Sequence, residues 1–131
     1  MYLKSISDYG LDNVVKILGR VDSNSVFDII GNHDVLVFPS RFDGWGVALV
    51  EALYKGLAII STKTTGAAVH AISGNGFILK DNTARELARS MEHYIRNPSL
   101  LNQHKNKSLV LSKEFTPIVN VERLFGILSN N

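Results

Sequence analysis

Apolar residues fall along this chain in two rhythms. Short, nearly unbroken runs between turn-forming residues mark strands buried on both faces; they lie at 14–18, 35–38, 57–61 and 77–79. Stretches in which apolar residues return every three or four positions mark helices. Tyr2, Leu3, Ile6 and Tyr9 form the tail of one, ended by Gly10. Val26, Phe27, Ile29 and Ile30 belong to a second, capped by Ser23 or Asn24 and closed by Gly31-Asn32. A third runs over 47–54, with Lys55 in its last turn and Gly56 behind it. Ala67, Ala68, Ala71 and Ile72 suggest a short one, broken at 73–76. Asn82 caps an amphipathic helix over 83–96, with Leu87, Ala88, Met91, Tyr94 and Ile95 on one face. Another covers 99–113, and a last one follows Pro117, with Ile118, Val121, Leu124, Phe125 and Leu128 on its stripe.

Strand 35–38, a polar turn, helix 47–54 and strand 57–61 make a βαβ unit, whose strands are parallel with a right-handed crossover. The expected fold is therefore α/β, a Rossmann-like three-layer sandwich of about four parallel strands with flanking helices.

Composition narrows the field. The 131 residues allow one domain, and 45% hydrophobic with 20% charged residues makes it an ordinary globular one. There is no cysteine, hence no disulfide, thiolate metal site or cysteine nucleophile. The net charge of +2 is spread along the chain, which argues against nucleic acid as a partner. No apolar run approaches the roughly 20 residues of a membrane span, and the first ten residues are too polar for a signal peptide. The four histidines show no metal-ligand spacing, and His93 and His104 are expected in solvent. No Ser-His-Asp arrangement or nucleophile elbow is visible.

Two carboxylates stand where packing alone would not place them. Asp43 lies in the turn after strand 35–38, and Glu51 interrupts an apolar helix between Val50 and Ala52. A helix starting near Gly46 puts Glu51 about 7 Å along the axis, at about 1.5 Å per residue. The amides of Gly44, Trp45, Gly46 and Val47 then face the mouth of a cleft at the strand's carboxyl end. Free N–H groups and the helix dipole favour phosphate there. On this reading Asp43 flanks a diphosphate and Glu51 reaches the attached ribose. On the other, Asp43 caps the helix and Glu51 sits on a wet edge; spacing does not separate the two. Arg41 enters the same place, suited to neutralise a diphosphate, to pair with Asp43 or to point into solvent.

The run PSRFDGWGVALVEALYKGLAIIST, followed by TGAA, resembles the signature of the retaining glycosyltransferases of family 4, which have the GT-B fold. Asp43 matches the first acid of that signature (more often Glu), Gly44-Trp45-Gly46 its glycine–aromatic–glycine turn, and Glu51 its second acid. The similarity runs from about Gly10 to the C-terminus. It implies that Asp43 and the turn amides hold a donor sugar, the next amides its diphosphate and Glu51 the ribose hydroxyls. It also implies that Arg20 and Val21, in the loop after strand 14–18, lie near the nucleotide base. Arg20 is suited to stack on that base, to pair with phosphate or to stay solvated. The implied ligand is a nucleoside diphosphate sugar, with no cofactor and no metal. Asp-x-Asp, the manganese-binding arrangement of the other main glycosyltransferase fold, is absent, so helix amides and basic side chains would stabilise the leaving diphosphate. The resemblance implies a cytoplasmic location, with peripheral membrane contact in full-length relatives.

The resemblance reaches only the later part of the second GT-B domain. The acceptor-binding domain and the first two strands of the nucleotide domain have no counterpart, nor have the Arg and Lys that the family uses on the diphosphate. Lys63 stands where the family usually has aspartate, and His70 where it usually has an acid. In the doubly wound order 3-2-1-4-5-6, the two missing strands lie between 14–18 and 35–38. Strand 35–38 should then carry an unpaired apolar edge. Either 14–18 closes against it in a four-stranded sheet, or two copies join edge to edge. The expected function is the nucleotide-sugar-binding part of a hexosyltransferase acting on a glycan or lipid acceptor, inactive until a second chain supplies the acceptor half. The competing expectation is a non-catalytic interaction module or the remnant of a disrupted gene. A receiver-type signalling domain has this length but needs an acidic pair near its start, which is lacking.

Overall fold

The computed structural model describes residues 2–116; the helix expected after Pro117 lies outside the described residues. The elements run α1 (Tyr2–Asp8), α2 (Ser23–Gly31), β1 (Val35–Phe38), α3 (Val47–Lys55), β2 (Ala58–Thr62), α4 (Ala68–Ala71), β3 (Gly76–Leu79), α5 (Ala84–Arg96) and α6 (Pro98–Ser112), then a 3-10 turn at Lys113–Phe115. The three strands form one parallel sheet in sequence order, with Val35 beside Ala58 and Ile59 beside Gly76. The α/β sandwich stands as expected, with three strands where about four were predicted.

The missing strand is 14–18. Val14 and Val15 donate their N–H groups to Leu11 in a turn, and Val14, Val15, Ile17 and Leu18 are all exposed. A β-prone run becomes a strand only where a neighbour offers it a ladder and a buried face. Here the segment lies instead beside Ile29, Asn32 and His33 of the α2 end. The expected four-stranded closure against β1 does not occur.

Helices cover both faces of the sheet. Leu36, Phe38 and Ile59 pack with Leu49, Leu53, Ala68, Ala71 and Leu111 on one. Val35, Val37, Ala58 and Ile60 pack with Leu87, Tyr94 and Leu101 on the other. β2 is buried at every residue, as the middle strand must be. Lys55 ties α2 to the end of α3, with its ammonium 3.3 Å from Asp28 and over the Phe27 ring.

Two caps fall one residue from their expected places. Thr83, not Asn82, caps α5 by accepting the Glu86 N–H, while Asn82 reaches across to donate to the Pro39 carbonyl. Glu86 reaches back to accept the N–H groups of Lys80 and Asp81, a variant of the capping box. At α2, the Asp22 carboxylate accepts the Ser25 N–H at 3.1 Å.

His104 is half-buried, contrary to expectation. Its Nδ1 lies 2.9 Å from the Tyr94 hydroxyl, and both rings pack on Phe77. Burial raises the Tyr94 pKa and lowers the His104 pKa from 6.5. The unfolded chain therefore takes up the imidazole proton first as pH falls, and the folded state loses stability below about 6.5 until the folded pKa is passed. Urea midpoints are expected to drop between pH 7.5 and 5.5, and less so in His104→Gln. An equal drop in both proteins would remove His104 from the account.

Candidate functional site

The site is a turn held from both sides. Pro39 and Ser40 end β1, and the chain crosses to α3 through residues 41–46. Asp43 makes a parallel bridge with Thr65 from the loop after β2: its N–H donates to the Thr64 carbonyl at 3.2 Å, and its own carbonyl accepts the Gly66 N–H at 3.0 Å. Ala67 donates to the Trp45 carbonyl. Ser40 is the second anchor, its carbonyl accepting the hydroxyls of Thr62 at 2.5 Å and Thr64 at 2.9 Å. Ser61 donates to the Phe38 carbonyl at 2.9 Å. These threonines and serines clamp one βα loop to the next, a role that sequence reading missed. The only signal was a run of hydroxyl residues directly after a buried strand.

Glycine is required at two points of this clamp. Gly46 caps α3 at φ 82°, in the left-handed region, and a Cβ there would lie 2.5 Å from the Thr65 methyl. A Cβ on Gly66 would overlap the Gly44 carbonyl oxygen. The GWG turn and the TGAA segment are therefore in backbone contact.

Asp43 is half-buried and caps the turn rather than the helix. Its Oδ1 accepts the Trp45 N–H at 3.0 Å, and no side chain caps α3. This corrects the expectation that all four turn amides are free, because Trp45 is already engaged. Among the described residues nothing accepts the N–H of Gly44, Gly46 or Val47. Arg41 is exposed and makes no ion pair with Asp43. Glu51 is half-buried on α3, and its carboxylate has no hydrogen-bond or ion-pair partner among the described residues. Phe42 and Trp45 are 83% and 51% exposed beside the helix start.

The structure thus brings Asp43, Gly44, Trp45, Gly46 and Val47 together at the carboxyl end of β1, with Glu51 one to two turns along the same helix. It does not join Arg20 or Val21 to them: Arg20 is exposed, and no hydrogen bond links either residue to the turn. Lys63 and His70 are also exposed. Among the described residues no three histidine, aspartate or glutamate side chains converge as metal ligands.

A parallel sheet covered by helices on both faces, with a helix N-terminus at a strand's carboxyl end, is a Rossmann-like α/β arrangement. Residues 1–109 match the family model for Glycosyl transferases group 1, and the chain belongs to that family. It is 32% identical over 101 residues to an uncharacterized glycosyltransferase of Methanocaldococcus jannaschii, covering 75% of this chain and 26% of the relative. It is 33% identical over 89 residues to the capsular polysaccharide biosynthesis glycosyltransferase CapM of Staphylococcus aureus, covering 67% of this chain and 23% of that one. In fold it is similar to sucrose-phosphate synthase from Thermosynechococcus elongatus, with a TM-score of 0.80 at 18% identity over 98% of this chain and 33% of that one. It is also similar to Anabaena HepE in complex with UDP, with a TM-score of 0.79 at 23% identity over 99% of this chain and 36% of that one. The chain thus spans between about a quarter and just over a third of these four proteins. No helix among the described residues is long and apolar enough to cross a membrane.

Proposed function

We propose that this chain forms the donor-binding part of a retaining family 4 glycosyltransferase and takes a nucleoside diphosphate sugar. The observation that carries this reading is the α3 N-terminus, where Gly46 and Val47 present unpaired amides while the half-buried Glu51 waits without a partner on the same helix. A carboxylate that meets no protein donor keeps its acceptor positions for ligand hydroxyls. HepE, which shares the fold, has been captured with UDP and with UDP-glucose, which supports a diphosphate ligand here.

In this reading the amides of Gly46 and Val47 receive the diphosphate, aided by the helix dipole and by Arg41. Glu51 accepts from the ribose hydroxyls. Asp43, with one oxygen on the Trp45 N–H, turns the rest of its carboxylate towards the sugar beside Gly44 and Trp45. Arg20 and Val21 contact the base once a ligand draws their loop in. Amides and cations, without a metal ion, stabilise the departing diphosphate. In this reading these residues bind the donor, and transfer to a glycan or lipid needs an acceptor-binding part besides them. That arrangement is cytoplasmic, at the membrane surface where the acceptor is a lipid.

Isothermal titration with UDP and GDP tests this. Binding of one nucleotide is expected, weakened about tenfold or more in Glu51→Ala, since a charge-assisted hydrogen bond is worth about 1.5–3 kcal/mol. If neither nucleotide binds, or the variant binds as well as the native chain, the ribose role fails. A second reading is a non-catalytic interaction module, and absence of all nucleotide binding would select it.

A further inference from the structure

We propose that Thr65 is a positioning residue for the donor, and that its methyl group sets the direction of the first amides of α3. This role rests on the donor-binding reading above and extends it to the loop after β2.

Thr65 is fully buried, although it lies in the loop between β2 and α4. Its backbone is fixed on both sides. Its N–H donates to the Thr62 carbonyl at 3.2 Å, and its carbonyl accepts the Ala68 N–H at 3.0 Å. Its hydroxyl is fixed as well, 3.3 Å from the Ser61 hydroxyl and 3.5 Å from that of Thr62. Thr62 spends its single proton on the Ser40 carbonyl at 2.5 Å, so Thr65 supplies the proton between these two threonines. Both neighbours also hold the end of β1, Ser61 through the Phe38 carbonyl and Thr62 through that of Ser40. The Thr65 hydroxyl is thus tied to the frame of the sheet.

Threonine is stiff about χ1 because two heavy atoms branch from its Cβ. With backbone and hydroxyl both fixed, the methyl has one direction left, and it meets Gly46. A Cβ built on Gly46 would lie 2.5 Å from that methyl, ahead of Leu49 at 3.4 Å and the Asp43 carboxylate at 3.7 Å. Gly46 is itself buried and starts α3 at φ 82° and ψ 60°. Many other backbone angles are open to a glycine, so its place here is set by contact from outside. Thr65 supplies that contact on one side, and the Leu49 N–H holds the Gly46 carbonyl at 2.9 Å on the other. The two peptide planes that meet at Gly46 carry the N–H groups of Gly46 and Val47. Their direction therefore follows from how this one residue is seated. A hydrogen bond weakens steeply as its angle bends, so loosening the seat costs affinity without unfolding the domain.

Titration with UDP and GDP, together with residual dipolar couplings of the Gly46 and Val47 N–H bonds in the unliganded chain, tests this. Thr65→Ser keeps the hydroxyl and removes the methyl, whereas Thr65→Val keeps the methyl and removes the hydroxyl. Thr65→Ser is expected to raise the Kd of the nucleotide that binds about fivefold, the worth of about one hydrogen bond, and to change both couplings. Thr65→Val is expected to recover most of the affinity and the native couplings, since a methyl again meets Gly46. A merely structural role would move the urea midpoints and leave Kd and the couplings of the folded protein unchanged, and that result overturns the proposal. So does a Thr65→Val that binds no better than Thr65→Ser. If the native chain binds neither nucleotide, the donor reading fails, and the couplings alone decide whether Thr65 sets these amides.

Discussion

Gly66→Ala is expected to destabilise the protein by about 3 kcal/mol or more and to abolish the proposed nucleotide binding. The added methyl would overlap the Gly44 carbonyl oxygen, with the Trp45 Cα also close at 3.4 Å. All of these neighbours are backbone, so no side chain can rotate out of the way. Relief requires separating residues 43–45 from 64–67, and with them the hydrogen bonds from Asp43 to Thr64, from Gly66 to Asp43 and from Ala67 to Trp45. Overpacking of a tight contact costs about 1–3 kcal/mol, and each lost hydrogen bond about another 1 kcal/mol. The same displacement re-aims the amides of Gly46 and Val47, which is why binding should go with stability. Gly44→Ala is the control within the same turn. A Cβ there meets nothing within 4 Å and no positive φ is involved, so thermal unfolding should barely move. Equal shifts for the two variants would show that the backbone contact is not what holds the turn.

Asn75→Ala is expected to cost about 3 kcal/mol, read as a fall in the urea midpoint with the slope unchanged. Asn75 is fully buried and uses both ends of its amide. Its oxygen accepts the Ser73 N–H at 2.7 Å, and its nitrogen donates to the Ala71 carbonyl and to the Ser108 hydroxyl, each at 3.0 Å. Ser108 in turn donates to the Leu57 carbonyl at 2.5 Å. One side chain therefore links the end of α4, the middle of α6 and the entry to β2. Truncation leaves buried partners unpaired, each costing about 1–3 kcal/mol. Ser108→Ala should cost less, about 1–2 kcal/mol on the same basis, and the double variant should cost less than the sum because the two share a bond. A loss below about 1 kcal/mol for Asn75→Ala would mean that water replaces the amide.

The sequence is most legible where structure is local. The run through β1, the turn, α3 and β2 was readable to within a residue or two, because periodicity, Lys55 and Gly56 each report on the few residues around them. Asp43 and Glu51 stood out for the same reason, as charges in a stretch that otherwise only packs. Cap positions were less legible, since Asn82 and Thr83 are both good caps and only the approach of Glu86 decides between them. His104 was misplaced because its neighbours in sequence are polar, whereas its neighbours in space are Tyr94 and Phe77.

Taken alone, the chain determined a parallel α/β domain, the helix whose N-terminus ends at a strand's carboxyl edge, and the two acids flanking it. Those follow from patterns that repeat within a turn or two of backbone. Tertiary structure decided the rest: that 14–18 stays out of the sheet, that Trp45 spends its amide on Asp43, and that Gly66 touches Gly44 across the site. Each of these depends on which segments meet after long loops close. Such meetings are chosen by the competition of whole faces for burial and hydrogen bonds, and residue order alone does not record the outcome.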